Sequence, residues 1–151
     1  MSMCSSFVYG YGFHIDKCDE KVLIDFIKTH ENTFCRSDEE KYLFDGLDKT
    51  GSSLDKLFEN YSCDSTGVAG VGAVIANIMS RETGICFIYC QSDDSCDTPA
   101  SIVFETSYPW LLNKIEKELT EDELQNICRK YMNELELTNE QPCHLALEYY
   151  G

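Results

Sequence analysis

Apolar and small residues alternate with a period of two through SFVYGYGF, residues 6–13, placing Phe7, Tyr9, Tyr11 and Phe13 on one face of a predicted first strand. Gly10 and Gly12 share the other face, where the missing side chains leave room for a backbone, a ring or a ligand. From Asp19 the period becomes 3.6, and Val22, Leu23, Phe26 and Ile27 form the stripe of a helix ending near His30. Ser37-Asp38-Glu39-Glu40 reads as a capping box ahead of Tyr42, Leu43 and Leu47. Ser53 introduces a third short stripe of Leu54, Leu57, Phe58 and Tyr61.

GVAGVG, residues 67–72, leads into AVIANIMSRET, which is apolar nearly all round and predicts a buried central helix ended by Gly84. ICFIYCQ and ASIVFETS are β-rich runs, joined through Ser92-Asp93-Asp94-Ser95-Cys96-Asp97 into a long-looped hairpin. Tyr108-Pro109-Trp110 interrupts the strand pattern, because proline removes a ladder donor. Thr120-Glu121-Asp122-Glu123 caps a helix carrying Leu124, Ile127, Cys128, Tyr131, Met132 and Leu135, and CHLALEYY alternates as a last strand. The expected fold class is α+β: an antiparallel or mixed sheet of about four strands, terminal strands adjacent, with four to five helices packed on it. One domain spanning residues 1–151 is expected.

Composition supports a folded chain: 43% of residues are hydrophobic, with 8 Phe, 9 Tyr and 1 Trp, enough apolar surface to offset chain entropy. Charge changes the picture more. Twenty-seven Asp and Glu face 12 Lys and Arg, for a net charge of -15. Such a surface repels phosphate backbones and anionic lipid and speeds encounter with basic proteins, so direct nucleic-acid or membrane binding is not expected. Acidity can also serve solubility alone, and composition leaves both uses open. With no apolar run of membrane-spanning length and no secretory leader, a cytoplasmic setting is expected, and the 9 cysteines read as reduced thiols. Cys86, Cys90 and Cys128 fall within apolar patterns, as small hydrophobes.

Several constellations touch on chemistry. Cys86 and Cys90, with His14, His30 and His144 elsewhere, have zinc-type donors but only one short pair, within a strand pattern, so neither metal nor cofactor is expected. Asp93, Asp94 and Asp97 lack the ligand order and glycine of an EF-hand, leaving a solvated loop, an ion contact or a protein contact. GVAGVG opens a helix, where Gly67, Gly70 and Gly72 would offer amides to an anion and Arg81 or Arg36 a cation, as in a nucleotide-signal pocket. No P-loop lysine follows, and close helix packing explains the glycines equally. No nucleophile or metalloprotease signature occurs, which argues for a non-enzymatic protein, with a thiol enzyme as the remaining alternative.

The acids divide by position. Asp38, Glu39 and Glu40, and Glu121, Asp122 and Glu123, are uncompensated triplets that open helices, where the positive dipole end favours them. Asp93, Asp94 and Asp97 have no such local use and stand in the longest stretch without a basic residue, residues 82–113, together with Glu105. These seven acids outside the first triplet, completed by the aromatic anchor candidate Trp110, form the predicted partner-binding set: Asp93, Asp94, Asp97, Glu105, Trp110, Glu121, Asp122 and Glu123.

The GYG start, the SYPW segment, the TEDEL-capped helix, the small size and the acid excess together resemble small acidic proteins of phages and mobile elements of Gram-positive bacteria. That resemblance implies an anti-defence role in a host cytoplasm, such as an anti-CRISPR inhibitor. Such a protein would imitate nucleic acid and occupy the channel of a basic nuclease or other nucleic-acid-binding protein.

Overall fold

A computed structural model describes residues 5–48, 53–63, 67–90, 100–106 and 120–150, with the backbone alone for 5–9, 105–106 and 146–150. The strands are β1 (Ser5–His14), β2 (Phe87–Cys90), β3 (Ser101–Thr106) and β4 (Cys143–Tyr150). They form one sheet in the order β2-β3-β1-β4, every neighbour antiparallel. The class is α+β, as expected, and the terminal strands are adjacent: Tyr11 stands opposite His144 of β4 and Phe104 of β3.

The described helices are α1 (Glu20–Thr29), α2 (Glu31–Phe34), α3 (Asp38–Asp45), α4 (Leu54–Leu57), α5 (Val71–Thr83) and α6 (Glu121–Glu134). Sequence periodicity misses α2, because a four-residue turn is too short to show a 3.6-residue period. The third stripe is also shorter than its apolar spacing suggests. Phe58 already caps α4, and Tyr61 instead accepts from the Gly70 amide at 2.9 Å, alongside a Ser62–Ala69 bridge.

The core lies on one face of the sheet. Tyr11, Phe13, Phe87, Tyr89 and Ile102 project toward α5, whose residues Gly72 to Met79 are all buried. The aromatic rings of Phe34, Phe58 and Tyr61 close one side of this core, with centroids 5.5–6.2 Å apart. A fully buried ring of this kind contributes about 2–3 kcal/mol through lost water contact. On the sheet's other face Ile88, Cys90 and Val103 make a smaller cluster, with Leu145 packed against it. The glycine face of β1 receives β3 itself: ideal Cβ atoms at Gly10 and Gly12 would fall 2.8 Å from the Phe104 carbonyl oxygen and 1.9 Å from that of Ile102.

Candidate functional site

Two polar clusters, one buried and one partly exposed, join helices distant in sequence. The first begins at the predicted capping box. The Glu40 amide donates to Ser37 Oγ at 3.1 Å, and this turn swings the Glu40 side chain inward until the residue is only 4% exposed. Glu40 Oε1 accepts from Ser37 Oγ at 3.2 Å and the Arg36 amide at 3.3 Å; Oε2 accepts from Tyr61 at 2.7 Å and Arg81 Nη1 at 2.8 Å. Asn77 and Arg81, one turn apart on α5, share a face. Asn77 Nδ2 donates to the Tyr61 hydroxyl at 3.1 Å, while Arg81 Nη1 also reaches the carbonyls of Thr33 and Phe34.

This geometry corrects the expectation for the first acidic triplet. Asp38 and Glu39 are exposed, but Glu40 is spent on Arg81 inside the molecule, because the third helical position turns toward the helix start and the core beneath it. Burial by itself would raise the Glu40 carboxyl. The hydrogen bonds from Tyr61 and Arg81, the Arg81 charge and the Arg36 amide outweigh it and hold the group below its ordinary value. Burial, reinforced by Glu40, pushes the Tyr61 hydroxyl up, so it remains a donor.

The second cluster centres on His30, the residue that ends α1. Its Nδ1 lies 2.7 Å from Glu82 Oε2 and its Nε2 lies 2.9 Å from Glu134 Oε1. Both contacts are hydrogen bonds only when the ring carries two N–H groups or a carboxyl carries the missing proton. Thr33 Oγ1 donates to Glu82 Oε2 at 2.7 Å, and the Tyr131 hydroxyl donates to Glu82 Oε1 at 2.8 Å. Burial opposes the Glu82 charge, yet the donors Thr33, His30 and Tyr131 bring its carboxyl below the ordinary value. His30 thus ties α1 to α5 and α6, a role its position in a last helical turn does not disclose.

Glu40 and Glu82 set an acid limit on stability. A carboxyl whose folded value is depressed binds its proton more readily in the unfolded chain, so its contribution is complete above the ordinary value of 4.5 and disappears as pH falls through the folded value. The urea midpoint is therefore expected to fall steeply below about pH 4.5, and Glu40→Gln should flatten that fall. A midpoint equally pH-dependent in wild type and variant would exclude Glu40 as a source.

The acidic positions proposed for partner contact are placed unevenly. Thr120 caps α6 through the Glu123 amide at 3.2 Å, and Glu121, Asp122 and Glu123 stand exposed at its start. His144 Nε2 lies 3.5 Å from Glu121; among the described residues no Lys or Arg pairs with the three. Glu105 stands opposite Gly10 in the β1–β3 register. Asp93, Asp94, Asp97 and Trp110 lie outside the described residues.

The proposed anion-cradle residues do not converge. Gly67 and Gly70 have positive φ, which glycine adopts without strain, and their amides donate to the carbonyls of Cys63 and Tyr61. The Tyr89 ring lies on Gly72, where an ideal Cβ would fall 2.2 Å from it. Arg81 sits about 15 Å further along the helix axis, turned to Glu40. Arg81 instead shares a polar cavity of about 370 Å³ with Arg36, Ser37, Glu39, Asn60 and Ser62.

The thiols also separate. Cys90 and Cys128 are buried as expected, whereas Cys86 is exposed, because it precedes the first paired residue of β2 instead of lying within the strand. Burial pushes the Cys18 thiol up to about 11 and Cys128 up to about 12, and raises Cys35, which opposes thiolate formation at these three positions. Among the described residues no three His, Cys, Asp or Glu side chains gather as a metal site. No described helix is long and apolar enough to cross a membrane. No family model, curated protein or solved structure matches this chain.

Proposed function

We propose that this chain is a non-enzymatic binding domain that presents negative charge to a basic, nucleic-acid-handling protein. The observation that carries this reading is the start of α6. Thr120 consumes the Glu123 amide, leaving three exposed carboxylates that no described Lys or Arg neutralises, on a chain whose net charge is -15. Carboxylates held at fixed spacing on a rigid helix can replace phosphates in a basic channel. The finer reading is an inhibitor or decoy of the anti-defence type, with Asp93, Asp94 and Asp97 as further acidic contacts.

The complex is expected to form with a nuclease-type partner at low salt, to be displaced by competing nucleic acid, and to weaken as salt rises. Replacing Glu121, Asp122 and Glu123 together by Lys should weaken it at least about tenfold, largely through the association rate. Replacing Asp93, Asp94 and Asp97 by Ser measures the hairpin's share. Capture from host lysate at two salt concentrations, followed by association kinetics with the purified partner, checks both. A complex indifferent to salt, nucleic acid and the lysine substitutions would overturn the reading.

A further inference from the structure

The cavity beside Arg81 has a floor with no capacity left for a ligand. Both Glu40 oxygens are occupied, by Ser37 and the Arg36 amide on one side and by Tyr61 and Arg81 on the other. Tyr61 donates to Glu40 and accepts from Asn77, so it too is committed. That floor immobilises one guanidinium: Arg81 is held through Nη1 alone, while its Nη2 and Nε make no hydrogen bond among the described residues. An arginine fixed on one edge and unused on the other is prepared for a planar, two-oxygen acceptor, because little side-chain freedom remains to be lost.

The groups around that edge narrow the ligand. Arg36 is exposed on the same cavity, and its guanidinium makes no ion pair or hydrogen bond among the described residues. Asn60 and Ser62 add neutral donors and acceptors, and Glu39 supplies an exposed carboxylate. Arg81 is balanced by Glu40 and Arg36 by Glu39, so the cavity is charge-separated but neutral in sum. A polyanion such as a phosphate ester would meet no surplus positive charge here and would work against the net charge of -15. A small carboxylate that carries its own ammonium group meets both signs and brings no net charge. The volume of about 370 Å³ falls within the range of small-ligand sites.

We infer that this cavity binds a small amino-acid-like zwitterion, its carboxylate on Arg36 and the unused edge of Arg81, its ammonium on Glu39. This site is separate from the acidic opening of α6 and stands or falls independently of the partner-binding reading.

Amide NMR titration of the whole chain tests it, with L-serine, acetate, methylammonium and inorganic phosphate as separate probes at matched ionic strength. L-serine is expected to give saturable shifts at Asn60, Ser62 and Arg81 with a millimolar Kd, the order suited to so few ligand atoms. Acetate and phosphate should bind roughly tenfold more weakly, and methylammonium more weakly still. Arg36→Ala and Glu39→Gln should each weaken L-serine roughly tenfold while leaving the urea midpoint unchanged, since neither side chain supports the buried network. The inference is overturned if L-serine does not saturate, if the two variants bind it like wild type, or if phosphate or acetate binds at least as tightly.

Discussion

Glu40→Ala is expected to destabilise the fold by about 3 kcal/mol, the scale for removing one partner of a buried ion pair. The loss comes from what remains behind. Arg81 keeps only the Thr33 and Phe34 carbonyls, and the Tyr61 hydroxyl, itself 2.7 Å from Glu40, loses its acceptor in a residue 8% exposed. Glu40→Gln preserves shape and should cost less. In a double-mutant cycle, Arg81→Met combined with Glu40→Ala should cost clearly less than the two single changes added together, because the second change removes a group already stranded by the first. Urea denaturation at neutral pH with unchanged m reads this directly. A loss under about 1 kcal/mol, the scale of an exposed pair, would show that the network contributes little.

Gly12→Ala is expected to cost as much or more, about 3 kcal/mol, at the upper end for over-packing. The added methyl would lie 1.9 Å from the Ile102 carbonyl oxygen and 2.7 Å from the Val103 Cα. Both are backbone atoms of β3, so only separation of two paired strands near the middle of the sheet relieves the clash. Gly72→Ala makes a useful contrast. Its methyl meets the Tyr89 ring, and Tyr89→Val in the same chain should recover part of the stability, whereas no single side-chain truncation should rescue Gly12→Ala. Thermal or urea unfolding of these variants decides it. Full tolerance of alanine at position 12 would show that β1 and β3 sit further apart than described.

The sequence made the glycine face of β1 visible as a place of close approach, but not what approaches. Alternation within eight residues reports which side chains share a face; it carries no information on the partner strand's register. The same distinction runs through the site. Ser37, Ser53 and Thr120 were legible as helix caps, and each accepts the backbone amide three residues on, since a cap is a local arrangement. The capping pattern led equally to counting Glu40 as surface charge. Its true partner, Arg81, is 41 residues away, and the exposed Asp38 and Glu39 beside it give no hint of the difference. His30 was equally opaque, its two carboxylate partners being 52 and 104 residues distant.

By itself, the sequence determined the α+β class, the four strands, the central buried helix and the start of every described helix except α2. These follow from periods of 2 and 3.6 and from hydrogen bonds between residues three or four apart. It also determined the charge of -15, which is a sum and needs no fold. Only the tertiary structure decided which charges remain on the surface and which are spent inside. It brought Glu40, Tyr61, Asn77 and Arg81 onto one floor, gathered His30 with Glu82 and Glu134, and set Arg36 beside Arg81 around a polar cavity. The physical reason is that a polar side chain is buried only with partners that satisfy it, and those partners are supplied by helix packing across the chain, not by neighbours along it.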